Sequence, residues 1–139
     1  MTTVESALYW DSSAILSALF RDAHSDEAMT RAADPRAVHV LSSLAWSEVH
    51  AVIARMERER ALASVLTDAA REALSSGPWR YLNASPTRII VADLARRWPL
   101  RGADLWHLAT AKTLQAEIPS LALLSFDAKL SAAARGEGL

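Results

Sequence analysis

Residues 7–20 read ALYWDSSAILSALF, and how this stretch divides decides the fold. ALYW (7–10) is a short unbroken apolar run, the pattern of a strand buried on both faces, whereas SAILSALF (13–20) changes to helical spacing. A strand therefore feeds a helix, with Asp11 at the junction. The same order returns near the other end, where LALLSF (121–126), Asp127 and AKLSAAAR (128–135) again give strand, aspartate, helix.

Between these two units, AVHVL (37–41) and WRYLNA (79–84) read as further strands. A helix over 25–33 starts with Ser25 as N-cap and stops before Asp34-Pro35, because the residue before proline disfavours the helical region. From Ser43, the residues Ala45, Val49, Val52, Ile53 and Met56 make one apolar face at 3.6-residue spacing, running into the charged RMERER (55–60). Helical character continues with a weaker stripe over 61–75 until Ser76-Gly77-Pro78 breaks it. Ser85-Pro86 caps a helix reaching Trp98, and Gly102 precedes the strongest helical segment, ADLWHLATAKTLQAE (103–117). Four strands alternating with helices predict an α/β fold, a parallel sheet with helices on both faces.

A chain of 139 residues forms one domain, residues 1–139, and buries about two-thirds of its unfolded surface. Hydrophobic residues make up 51% and charged residues 22%, which is globular composition and excludes a disordered or fibrous chain. There is no cysteine, so disulfide frameworks and thiolate metal sites are ruled out and the cytoplasm is the expected location. No run approaches the roughly 18 apolar residues of a membrane span, so no membrane partner is expected. The formal charge of −1 argues against a strongly basic nucleic-acid binder. That sign rests on four acids: without Asp11, Glu48, Asp104 and Asp127, 12 of 16 acidic residues face 15 basic ones, a balance of +3 (15 − 12). A polyanionic substrate is compatible with that surface.

Each of the four acids has an ordinary reading beside a chemical one. Asp11 and Asp127 fall where a strand ends and a helix begins, which suits a helix N-cap and equally suits the crevice at the carboxyl ends of parallel strands, where ligands bind. Asp104 shares a helix face with Leu108 and Ala111, and the helix dipole favours an anion near that end without explaining the apolar company. Glu48 lies at the edge of an apolar stripe, where a glutamate ordinarily reaches for water. Brought together, four carboxylates repel, and a hard divalent cation with oxygen ligands resolves the repulsion.

In order, WDSSAIL (10–16), SLAWSEVHAVIAR (43–55), LRGADLWHLATA (100–111) and LLSFDAKL (123–130) resemble the PIN-domain ribonucleases, specifically the VapC-type toxins of toxin–antitoxin pairs. The resemblance runs from about Tyr9 to the C-terminus. It implies a three-layer α/β/α sandwich around a parallel sheet. It implies a metal-dependent endoribonuclease in which Asp11, Glu48, Asp104 and Asp127 hold Mg²⁺ or Mn²⁺. Ser125 matches the hydroxyl two residues before the fourth acid, and Ser12 the hydroxyl after the first. RNA is the implied substrate, a cognate antitoxin protein the implied partner, and a homodimer the implied assembly. Trp10, Trp46 and Trp106 are heavier than the family usually carries, and core filling explains them better than base stacking.

On this reading Asp11 and Asp104 ligate a first metal, while Glu48 and Asp127 act directly or through water. His107, three residues after Asp104, reads as a structural histidine. Arg55, Arg58 and Arg60, with Arg96, Arg97 and Arg101, read as solvated faces from which some side chains reach RNA phosphates. Two alternatives remain beside it. A PIN fold that binds RNA or protein without cutting keeps the same acids. A receiver-like Mg²⁺-binding signalling domain needs a lysine closing the last strand, and LALLSF has none.

Overall fold

The computed structural model describes residues 4–139. The strands are β1 (Ser6–Trp10), β2 (Ala37–Ser42), β3 (Trp79–Leu82) and β4 (Ala122–Leu124). The helices are α1 (Ser12–Leu19), α2 (Ser25–Ala32), α3 (Ser43–Arg58), α4 (Ser64–Ser76), α5 (Arg88–Arg97), α6 (Gly102–Gln115) and α7 (Ala128–Gly136). All the strand pairings are parallel, in the order β3-β2-β1-β4. The expected α/β architecture, a central four-stranded parallel sheet flanked by helices, is what the chain forms.

Alternation along β1 explains why both faces must be covered. Leu8 and Trp10 point into a cluster with Ala14 and Ile15 of α1, Ala28 of α2, Val49 and Ile53 of α3 and Leu74 of α4. Ala7 and Tyr9 point the other way, against Ala111 of α6 and Leu121. Beyond them, Leu94, Leu108 and Leu130 join α5, α6 and α7 into a third cluster on that side. Every carboxyl strand end therefore lies along one edge of the sheet, at the ends of Trp10, Ser42, Leu82 and Leu124.

Local chemistry sets the helix starts on that edge. Asp11 caps α1 by accepting from the Ala14 backbone N–H, Ser42 caps α3 through Ala45, and Asp127 caps α7 through Leu130. Besides shorter third and fourth strands, three helix starts differ from the sequence reading. The helical stretch after α3 is interrupted, because Arg60 takes a left-handed backbone with φ of 54° and α4 restarts at Ser64. Ser25 does not cap α2; its hydroxyl donates to the Phe20 carbonyl and accepts from the Asp22 backbone N–H, closing the α1–α2 turn instead. Thr87, not Ser85, caps α5.

Trp10 fills the core, as expected of so large a residue at this position. Its indole is 0% exposed, sits edge-on to Trp79 with centroids 5.4 Å apart, and donates through Nε1 to His39 Nδ1 at 3.0 Å. Truncation leaves a cavity and an unpartnered imidazole nitrogen. Trp10→Ala should lower the unfolding free energy by about 3–5 kcal/mol in a urea titration, with the denaturant slope unchanged. A loss under about 1 kcal/mol would show that this ring does not organise the core.

Candidate functional site

The four acids come from four different elements and face the same edge of the sheet. Asp11 follows β1 and is 3% exposed. Burial pushes its carboxyl above the ordinary aspartate range, against the pull of hydrogen bonds from Ser125, the Ala14 backbone and Ser13. Ser125 Oγ donates to Oδ2 at 2.6 Å, Ser13 Oγ to Oδ1 at 2.7 Å, and the Ala14 N–H to Oδ1 at 2.8 Å. The same hydroxyls tie down the far end of the chain. Ser125 Oγ accepts from the Asp127 N–H at 3.0 Å, and Ser13 Oγ from the Phe126 N–H at 3.2 Å.

Glu48, on α3, accepts from His107 Nε2 of α6 at 2.6 Å. The ring's other nitrogen, Nδ1, meets the Tyr9 hydroxyl at 2.6 Å. Burial pushes that hydroxyl far above its ordinary range, so Tyr9 keeps its proton. Asp104 lies in the first turn of α6 and is half-buried. Its carboxyl is also raised, first by burial and then by the negative charge of Asp127, Asp11 and Glu48, with only His107 acting in the other direction and no hydrogen bond contributing. The three other acids thus all act electrostatically on Asp104. Asp127 is exposed and shares with it a cleft of about 460 Å³ lined also by Pro99, Leu100, Arg101, Ala128 and Lys129.

The four acids therefore lie at one edge, with the Ser125 hydroxyl on Asp11. The hydroxyl that engages Asp11 from α1 is Ser13's, one residue beyond the Ser12 that the resemblance matches. Capping and clustering prove compatible, since Asp11 and Asp127 each spend one oxygen on a helix N–H. His107 goes beyond the structural role read from sequence, because it touches Glu48. Its spacing from Asp104 was the available signal; its partner, 59 positions away, was not legible. Arg97 is taken up by Glu137 and Asp93, leaving Arg101 as the arginine of its group at the cleft.

As the side chains stand, no three aspartate, glutamate or histidine groups among the described residues form a ready cage for one cation. The donor set nevertheless suits a hard divalent ion: four carboxylates, two of them lifted by burial, one lifted further by the charge of the rest, and a hydroxyl alongside. Asp104, with no hydrogen bond opposing its shift, is the member that a cation would relieve most.

The chain matches the PIN domain family model over residues 8–136 and belongs to that family. PIN domains are generally nucleases and usually bind divalent metals. The crystal structure of PAE2754 from Pyrobaculum aerophilum is similar in fold, with a TM-score of 0.63 over 94% of this chain and 81% of that one at 19% identity. No curated protein matches the chain. No helix among the described residues is long and apolar enough to cross a membrane.

Because Asp104 is raised by burial and like charge, its ionisation destabilises the metal-free fold. The penalty is absent while the group is protonated in both states and complete once pH exceeds its raised folded value. Asp104→Asn should therefore raise the melting temperature in EDTA at neutral pH, by a margin that vanishes as the pH falls to about 4 and below. A lower melting temperature at neutral pH would contradict the repulsion.

Proposed function

We propose that this PIN domain is a Mg²⁺- or Mn²⁺-dependent endoribonuclease, the toxin of a toxin–antitoxin pair, that hydrolyses RNA phosphodiester bonds with water. The observation that carries the reading is the convergence of four acids from four elements at one edge of the sheet, where Asp104 is raised first by burial and then by the charge of Asp127, Asp11 and Glu48. Asp11, Glu48, Asp104 and Asp127 would hold the cation. When bound, it supplies Lewis acidity: it activates water and offsets the charge that builds on the phosphoryl oxygens in the transition state.

The chain's own residues do the rest. Ser125 and Ser13 hold the Asp11 carboxylate at fixed donors, which keeps a ligand oriented before substrate arrives. Arg101 and Lys129, on the walls of the cleft beside Asp104 and Asp127, attract the RNA backbone to a chain whose overall charge is −1. The resemblance of the four acidic blocks further supports a small cognate antitoxin as partner and a homodimer as the assembly.

Incubation of the purified protein with single-stranded RNA and Mg²⁺ should yield internal cleavage with 5′-phosphate ends. Excess EDTA should abolish it, and Asp11→Asn should reduce it at least about 100-fold while leaving the circular dichroism spectrum unchanged. Cleavage that persists at the full rate in EDTA or in Asp11→Asn would overturn the reading. Binding of RNA without cleavage by the wild type would favour a PIN fold that binds only.

A further inference from the structure

The hydrogen-bonded chain Tyr9–His107–Glu48 joins the two helical layers across the sheet. Tyr9 belongs to β1, His107 to α6 and Glu48 to α3. Tyr9 and His107 are each 1% exposed, whereas the Glu48 side chain is 30% exposed, so the buried end of the chain is fixed and the open end is not. Both ring nitrogens have partners at 2.6 Å. A carboxylate can only accept, so a neutral imidazole meets Glu48 with its Nε2–H, and Nδ1 is then left to accept from the phenol. The opposite tautomer would set a nitrogen lone pair against a carboxylate oxygen.

Glu48 has more torsional freedom than the aspartates, and at a half-exposed helix edge it would otherwise turn to water. Asp11 needs no such help, being held by two serines and a backbone N–H. We propose that His107, its ring held in place by Tyr9 and its tautomer fixed by the acceptor-only Glu48, is a positioning residue that pins Glu48 Oε1 and so orients this carboxylate for a divalent cation. The proposal rests on the metal-dependent reading above. Partners that orient a metal-binding carboxylate typically change metal affinity about 10–100-fold when removed.

Two amide substitutions separate orientation from packing. Glutamine places its amide nitrogen near the position of Nε2, asparagine near that of Nδ1, and both put a neutral amide in the same buried space. Binding of Mn²⁺ to the full chain without RNA, followed by electron paramagnetic resonance, reads the effect directly. His107→Asn should weaken Mn²⁺ binding about 10–100-fold, and His107→Gln should remain within about threefold of the wild type. Equal Mn²⁺ affinity in the two variants, whether unchanged or equally reduced, would overturn the proposal. Tyr9→Phe keeps the ring and removes only the hydroxyl; it should weaken Mn²⁺ binding several-fold, and an unchanged affinity would overturn the proposal even if His107→Asn failed to fold. A wild type that binds no Mn²⁺ would remove the metal-dependent reading and this one with it, whereas a metal-binding wild type with indistinguishable variants would remove this one alone.

Discussion

A carboxylate enclosed at the end of a central strand has to be met by hydrogen-bond donors or by positive charge, and the packing around Asp11 answers that demand with donors from both ends of the chain. Ser13 and Ala14 come from the helix that Asp11 itself begins. Ser125 comes from the end of β4, the neighbour of β1 in the sheet. Because Ser125 also receives the Asp127 N–H, the bond that satisfies the first acid also places the last one. Backbone and hydroxyl groups thus hold two members of the cluster in place, while the like charges of the acids act on one another. That repulsion is concentrated on Asp104.

Much of the fold was legible because its strongest signals are local. The unbroken runs before Asp11 and Asp127 read as buried strands feeding helices, and β2 and β3 sat between clear breaks. What escaped the sequence was decided by single backbone or side-chain choices. Arg60 adopts a left-handed conformation that no periodicity reveals, which separates α3 from α4. Ser25 has the right identity for a cap, yet its hydroxyl is spent on the Phe20 carbonyl. At the site, the four acids could be found because Asp11 and Asp127 stood at strand-to-helix junctions and Asp104 and Glu48 at the margins of apolar helix faces. Their helpers could not: choosing Ser13 over Ser12 requires knowing where α1 begins to turn, and pairing His107 with Glu48 requires knowing that α3 and α6 meet across the sheet.

Charge and aromatic residues follow the same logic. The sequence reads its arginines as solvated faces, and the structure divides these side chains by what they pair with. Arg97 joins Glu137 and Asp93, and Trp98 donates to the same glutamate, so this group locks α5 to the end of α7. Arg36 and Arg71 are likewise paired. The tryptophans divide as well. Trp10 is core, while Trp46 and Trp106 are half-buried, edge-on to Tyr81 and His107 respectively.

The separation of Asp11 from Ser125 by 114 positions has a consequence for the time at which the site exists. During synthesis Asp11 is made 114 positions before Ser125, and β4 cannot pair with β1 until that later segment has left the ribosome. Contacts so distant along the chain close late because the entropy of the intervening loop opposes them. The Ser125 bond to Asp11 and the strand pairing beneath it thus form only after the chain through β4 has been made.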